Sequence, residues 1–188
     1  MTFQGMYRDG YWLSDAVQGL TESMPKDEDG SCRFILMGSV GVAHPDGVTD
    51  PKRSFFERSV MFLMRYLLPP MADNEKSALY LYQQKQKEEK GKSPPFDWCI
   101  VRPGDLIDKE EGKDDGATKE GKGYIVYDHA WGSLFGGDTF ISRSDVADFM
   151  VELATTEQKN WKVKYNHKMP VVYQKGAEEE KQKEKKQK

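Results

Sequence analysis

The sequence predicts an α/β fold in which short parallel strands are covered by helices. Two continuous apolar runs, 33–40 and 96–102, are short and end at glycine or proline, which is typical of strands buried on both faces. The segment between them carries apolar residues with helical spacing, and it is long enough for the crossover that parallel pairing requires. Strands that alternate with helices in this way indicate the α/β class.

The first half of the chain contains three predicted helices around the first strand. One covers 15–24, with Ser14 or Asp15 as its cap. After the strand, Asp50 followed by Pro51 is typical of an N-cap with proline at the first helical position. Four apolar residues then share one helical face: Phe56, Val60, Leu63 and Leu67. Prolines 69 and 70 end this helix, and another begins near Asp73.

The second half predicts two more strands and one helix. Residues 124–127 and 169–173 are short apolar segments that we expect to be strands. Between them, Ser142 or Ser144 caps a helix whose apolar residues fall on one face: Val146, Met150, Leu153 and Ala154. No internal repeat is visible in the sequence.

The chain is expected to form one domain, 1–174, followed by a disordered tail. The tail, 175–188, consists mainly of alternating lysine, glutamate and glutamine. Two further polar stretches, 83–95 and 108–123, are predicted to be charged insertions, the second an acidic, glycine-rich loop. Apolar residues make up 37% of the chain, and the polar stretches account for most of the deficit from a globular composition.

Charge and hydropathy exclude several classes of function. The net charge is −3, from 28 basic and 31 acidic residues, so the surplus of positive charge that nucleic-acid binding needs is absent. No apolar run reaches the roughly 18 residues of a membrane span, and the first ten residues do not resemble a signal peptide. Cys32 and Cys99 form neither a disulfide framework nor a CxxC site, which favours a reducing, cytoplasmic location.

The familiar catalytic and metal-binding motifs are absent. The three histidines lie far apart and have no cysteine or acidic ligand at metal-binding spacing, so no metal site is predicted. The sequence contains neither a GxSxG nucleophile motif nor a GxxxxGK[ST] phosphate loop.

Candidate functional residues follow the two best-marked strands, because ligands of open parallel sheets lie beyond the carboxyl ends of the strands. Ser39 could hydrogen-bond a carbonyl substrate or a nicotinamide, or it could satisfy a backbone group in its turn. Arg102 could bind an anion or pair with Asp105 or Asp108, and pairing is favoured. Asn74, near the start of a helix, has no obvious structural role.

Five segments together resemble the later half of an atypical short-chain dehydrogenase/reductase of the NmrA-like NAD(P)-binding family. They occur in order from about Phe34 to Tyr173: FILMGSVGVAHPDG, RYLLPPMADNEKSALYLY, DWCIVRPGDLID, ISRSDVADFMVELA and KMPVVY. The resemblance implies a Rossmann-like sheet that binds NADP or NAD and transfers hydride to a small carbonyl or flavin-type acceptor.

The resemblance also assigns site residues. Ser39 and Asn74 occupy the positions of catalytic polar groups, Asn74 at the point where relatives place a lysine or histidine. The cofactor-binding residues implied are those of the two strand ends: Gly38, Ser39, Val40, Arg102, Pro103 and Gly104.

Two departures from the family pattern affect the expected activity. The Tyr-x-x-x-Lys acid is missing, since Tyr80 is followed four positions later by Gln84 and Tyr82 by Gln86. The strand–GxxGxxG–helix opening that binds the pyrophosphate is also missing, so the sheet is expected to be incomplete at its N-terminus.

Two alternatives follow from these departures. Either Met1 is internal to a longer protein, whose leader could direct it to an organelle, or the chain is a shortened, inactive relative that binds proteins. In both cases we expect weak or absent dinucleotide binding by this chain alone and an apolar sheet edge that a protein partner could cover.

Overall fold

The computed structural model describes residues 12–25, 32–92, 96–108, 123–131 and 139–175. Within these ranges lie five helices: α1 (Trp12–Ser23), α2 (Phe55–Leu67), α3 (Pro69–Glu89), α4 (Arg143–Thr155) and α5 (Gln158–Lys164). The strands are β1 (Arg33–Met37), β2 (Asp97–Pro103), β3 (Asp105–Ile107), β4 (Tyr124–Tyr127), β5 (Phe140–Ser142) and β6 (Val171–Gln174).

The main sheet has four strands in the order β1-β2-β6-β4. β1, β2 and β6 run parallel, and β4 pairs antiparallel with β6. A second, two-stranded sheet pairs β3 with β5 in parallel. The predicted α/β class with a parallel sheet is therefore confirmed.

The central strand β2 is buried along its whole length and forms a core on each face. Cys99 and Val101 pack in one cluster with apolar residues of α4, including Phe149. Trp98 and Ile100, which alternate with them, pack in the other cluster with residues of α1 and α3. Helices thus cover both faces of the parallel strands, which is the Rossmann-like arrangement that the resemblance implies.

Most predicted elements are present, with shifted ends. β4 spans the predicted residues, whereas β1 ends at Met37, before the glycines that follow it. The pattern analysis did not predict β3, β5 and α5. β3 and β5 have three residues each, which is too short for a periodic signal, and α5 has seven residues and no side-chain N-cap.

Two predicted helix starts were wrong. α2 begins at Phe55, where Ser54 and Glu57 form a capping box, and not behind the Asp50-Pro51 pair. α3 begins at Pro69, which occupies the first helical turn where a missing backbone N–H costs little, and not near Asp73.

The predicted apolar face of α2 is only weakly covered in the described residues. Phe56 is 70% exposed, and Leu63 and Leu67 are each 52% exposed, while Met61 is the residue of this helix that is buried. The first part of the charged stretch 83–95 continues α3 as far as Glu89. Most of 108–123 and nearly all of the tail lie outside the described residues.

Candidate functional site

The carboxyl ends of β1 and β2 lie side by side, and this is where the sequence predicts that a ligand binds. The Gly38 N–H donates to the Val101 carbonyl at 2.8 Å, and the Val40 N–H donates to the Pro103 carbonyl at 3.0 Å. These bonds continue the β1–β2 ladder beyond the strands. The structure therefore brings five of the predicted cofactor-binding residues together at the carboxyl ends of these two strands: Gly38, Val40, Arg102, Pro103 and Gly104.

Ser39 is exposed at these strand ends, and it also accepts hydrogen bonds within its own turn. Its Oγ accepts a hydrogen bond from the Gly41 N–H at 3.2 Å, and its carbonyl accepts one from the Val42 N–H at 3.0 Å. The backbone role considered from the sequence is thus present. Contact with a substrate or nicotinamide remains a prediction for this hydroxyl.

Arg102 is fully buried and forms a two-pronged ion pair with Asp50. Nη1 donates to Asp50 Oδ2 at 2.6 Å and Nη2 donates to Oδ1 at 3.2 Å, while Nε donates to the Met169 carbonyl at 2.8 Å. Nη1 also donates to the Val42 carbonyl at 3.1 Å. The pairing predicted with Asp105 or Asp108 was wrong, since Arg102 pairs with Asp50 instead. Asp108 pairs with Arg143.

Asp50 links the loop after β1 to β2 and to the segment that follows β4. Beyond Arg102, it accepts hydrogen bonds from the backbone N–H groups of His44 at 2.7 Å and Ala130 at 3.0 Å. Burial disfavours the charged carboxylate, but the hydrogen bond and charge of Arg102 and the two N–H donors outweigh this and hold the pKa of Asp50 below its usual value. The pair therefore fixes the loop that forms one wall of the site.

Pro103 and Gly104 are buried, and their backbone is hydrogen-bonded on both sides. The Pro103 carbonyl accepts from Val40, and the Gly104 N–H donates to the Val172 carbonyl at 3.1 Å. A β-carbon at Gly104 would overlap the Thr139 carbonyl and lie 3.0 Å from a ring carbon of Tyr173. Only glycine fits this close approach between β2 and the segment before β5.

Asn74 lies in the second turn of α3, where its Nδ2 donates to the Pro70 carbonyl at 3.1 Å. In the part of the chain that the structure describes, no hydrogen bond or ion pair joins it to Ser39. The neighbouring Asp73 has a structural role that the sequence did not show. Its carboxylate accepts from the backbone N–H groups of Leu13 at 2.7 Å and Ser14 at 2.9 Å and so caps α1.

A cavity of about 840 Å³ opens at the end of β1, between the loop that follows the strand and one face of α2. Its α2 wall is a stripe of residues at helical spacing, with phenylalanines at 55 and 62 and arginines at 58 and 65. Its loop wall includes His44, Lys52 and Arg53. These basic residues were not among the predicted site residues, although their position after a predicted strand is visible in the sequence.

The described residues lack the part of a dinucleotide site that binds the pyrophosphate. A pyrophosphate is bound by a glycine-rich turn that leads from a strand directly into a helix N-terminus. None of the described strands runs through such a turn, because β1 is followed by a long loop and β5 enters α4 through Ser142 without a glycine. The cavity lies beyond the carboxyl end of β1, where sheets of this kind bind ligands, and its lining includes none of the predicted site residues.

Two findings concern metals and membranes. Within the described ranges, no group of three or more His, Cys, Asp and Glu residues is placed to hold a metal ion. None of the described helices has both the length and the apolar character needed to cross a bilayer.

Three solved structures are similar to this chain at low sequence identity. A candidate NADH-flavin reductase from Streptococcus pneumoniae TIGR4 superposes with a TM-score of 0.51 at 17% identity, over 88% of this chain and 65% of its own. A wide-type short-chain dehydrogenase/reductase from Veillonella parvula DSM 2008, in complex with NADP, gives 0.49 at 14% identity, over 89% and 59%. An anaerobillin reductase from Escherichia coli O157:H7 gives 0.45 at 14% identity, over 89% and 71%.

The chain thus spans 65% of the length of the flavin reductase and less of the NADP-bound protein. No curated protein matches the sequence significantly. A family model described as NAD(P)H-binding matches residues 9–157, which is most of the chain. The sequence resemblance, the Rossmann-like fold and the NAD(P) cofactor are thereby confirmed at the level of the family. The chain belongs to the NAD(P)H-binding family.

Proposed function

We propose that the protein acts in an NAD(P)H-dependent oxidoreductase, which transfers hydride to a small carbonyl or flavin-type acceptor. The match of the NAD(P)H-binding family model to residues 9–157 carries this proposal. It is supported by the cavity of about 840 Å³ at the end of a parallel strand, where such folds bind ligands. The nicotinamide supplies the hydride, and the protein orients the two reactants.

The residues at the strand ends have distinct roles in this proposal. Ser39, exposed beside the cavity, orients the acceptor or the nicotinamide, and Asn74 supplies a second polar group. Backbone hydrogen bonds fix the strand ends at Gly38, Val40 and the Pro103-Gly104 turn, and in this proposal the cofactor lies against them. Arg102 contributes through Asp50, by holding the loop after β1 in place.

The proposal is tested by titrating the purified chain with NADPH, with binding monitored by tryptophan fluorescence and by the melting temperature. Because the described strands lack the glycine-rich turn that binds a pyrophosphate, we expect weak or absent binding by this chain alone. Saturable binding, with a rise in Tm that grows with ligand concentration, would instead show that these residues hold a cofactor site. Ser39→Ala should weaken binding or slow reduction of an acceptor while leaving Tm without ligand unchanged, since Ser39 is exposed. No saturable binding by the folded chain would exclude a complete cofactor site in these 188 residues.

A second candidate function, a protein-binding or assembly module, is favoured by the free edge of β1. Among the described residues this apolar strand pairs only with β2, and Met37 at its end is 50% exposed. Met37→Lys should then reduce association with a partner or a second copy, measured by light scattering as a function of protein concentration. A light-scattering mass that stays monomeric for both proteins would exclude self-association through this edge.

We retain a cytoplasmic location as part of the proposal, supported by two free thiols, one of them buried in β2.

A further inference from the structure

The cavity behind β1 is rich in positive charge that is not neutralised within the described structure. Its walls contain four Lys or Arg side chains and one carboxylate, that of Asp50. Asp50 is already paired with Arg102, which does not line the cavity, and Arg65 is paired with Glu75 on α3. Lys52, Arg53 and Arg58 form no ion pair among the described residues.

Arg53 is held in position at the mouth of the strand-end turn. Its Nη2 donates to the Val40 carbonyl at 2.9 Å, while its Nη1 is buried and has no hydrogen-bond partner among the described residues. An unsatisfied buried guanidinium nitrogen is costly, and an acceptor brought into the cavity would relieve that cost. Burial lowers the pKa of Arg53 from its ordinary value, and the negative charges of Asp50 and Glu57 offset this effect only in part.

The α2 wall adds aromatic surface to this positive charge. Phe55 and Phe62 line the cavity and are 85% and 72% exposed, so two phenyl rings stand largely in water. They are seven residues apart, two helical turns, and Arg58 lies between them on the same face. A planar ring packed on them would remove apolar surface from water while its charged group reaches the cations.

We propose that this cavity binds an aromatic ligand that carries a phosphate or carboxylate group, with Lys52, Arg53 and Arg58 binding the anion and Phe55 and Phe62 the ring. The assignment rests on the proposed function in one respect, because it names the charge and shape of the hydride acceptor. The positive end of the α2 helix, at the same wall, favours the same sign of ligand charge.

The test compares FMN with riboflavin, which share one ring system and differ by the phosphate, without any nicotinamide cofactor. Fluorescence titration should give FMN an affinity about tenfold higher than that of riboflavin at low salt, corresponding to roughly 1.4 kcal/mol. The difference should shrink as salt is added, because the cavity is open to solvent. The double variant Lys52→Gln/Arg58→Gln should remove it and leave riboflavin binding nearly unchanged.

Two control variants separate specific from general effects. Lys159→Gln/Lys164→Gln lowers the net charge equally, from exposed positions on α5 that do not line the cavity, and should preserve the difference. Phe62→Ser should weaken FMN and riboflavin by the same factor. Because these side chains are all exposed, Tm should change little in any of these variants.

Each contrary outcome is distinct. Equal affinities, absence of binding to both flavins, or a difference that survives Lys52→Gln/Arg58→Gln would overturn the assignment. Competitive displacement of FMN by NADPH would assign the cavity to the dinucleotide and overturn the acceptor role. Failure of hydride transfer with FMN binding intact would refute the proposed oxidoreductase function and leave the anion site standing.

Discussion

At the scale of single residues, the pair between Asp50 and Arg102 is the most demanding interaction at the strand ends. The Arg102 side chain is fully buried and that of Asp50 is 9% exposed, so each charge depends on the other. Asp50→Asn removes one charge and leaves the guanidinium buried without its counterion. We expect a loss of about 3 kcal/mol in the free energy of unfolding, measured by urea denaturation at pH 7.

The exposed pair between Asp108 and Arg143 provides the matched comparison. Asp108→Asn breaks an ion pair whose partners are 83% and 56% exposed, and it should cost less than about 1 kcal/mol. Equal losses in the free energy of unfolding for the two variants would show that burial does not strengthen the pair between Asp50 and Arg102.

The lowered pKa of Asp50 also predicts that the stability of the protein depends on pH. The contribution of Asp50 to stability is present above the ordinary carboxyl pKa and is lost as the pH falls through the lower folded value.

Gly104 is required by packing, whereas Gly19 in α1 is not. A β-carbon at Gly104 would overlap the Thr139 carbonyl, while one at Gly19 would meet nothing within 4 Å. Gly104→Ala should therefore destabilise the protein by about 2 kcal/mol or more, and Gly19→Ala should stabilise it by about 0.5–1 kcal/mol. Opposite signs of the Tm shift check both statements, and a neutral Gly104→Ala would contradict the close approach.

Glu88 gives the protein a pH-dependent stability near neutrality. Its side chain is 10% exposed, and burial raises its pKa from 4.5 to about 7, with Asp97 and Glu89 adding to the shift. His167, whose Nε2 lies 3.3 Å from Glu88 Oε2, has a pKa lowered by burial, so its neutral form is favoured and offsets little charge. The folded state thus favours the protonated acid, whose stabilising contribution is complete below about 4.5 and lost as the pH rises through about 7.

Glu88→Gln should remove this decline, because glutamine is neutral at every pH. The variant should be more stable than the parent at pH 8, on the order of 2 kcal/mol, and nearly equal to it at pH 4. Urea unfolding across pH 4–8 measures the effect. Glu89→Gln, at a neighbouring position that is 63% exposed, removes only a minor contribution to the pKa shift and should retain most of the slope. A parental slope in Glu88→Gln would refute the prediction.

At the scale of elements, α1 depends on a cap from another helix. Asp73 of α3 accepts the Leu13 and Ser14 N–H groups, and α1 and α3 pack together in the core cluster that contains Trp98. Asp73→Ala should cost about 1–2 kcal/mol and should increase hydrogen exchange mainly in the first turn of α1. Asp15→Ala, in the first turn of α1 itself, removes only a favourable charge and should cost less than about 1 kcal/mol.

At the scale of the whole molecule, β2 is an interior strand of the main sheet and β1 lies at its open edge. β2 is flanked by β1 and β6 and covered by helices, whereas β1 has one strand neighbour among the described residues. Since Gly38 donates to Val101, strand alternation directs the amides of Ile35 and Met37 to the open edge. Hydrogen exchange should be slowest at Cys99 to Val101 and clearly faster at Ile35 and Met37. Equal protection would indicate a covered edge.

The helices and strands of this protein follow largely from local sequence patterns. The apolar runs predicted β1 and β2, and the spacing of apolar residues predicted α2 and α4. Of the two serines predicted as alternative caps of α4, Ser142 is the one that caps it. The failures share a cause. Asp50 and Asp73 both have the chemistry of a helix cap next to a predicted helix start, yet one pairs with Arg102 and the other caps α1, more than fifty residues away in each case.

By itself, the sequence determined the α/β class, the parallel strands and the family, because periodicity and strand-end motifs are local properties of the chain. The tertiary structure alone decided which charges are neutralised. Arg102 is neutralised within the fold because Asp50 lies against it, whereas Lys52 and Arg58 line a cavity and form no ion pair among the described residues. Neutralisation depends on distances between residues far apart in the chain, and no local pattern encodes those distances.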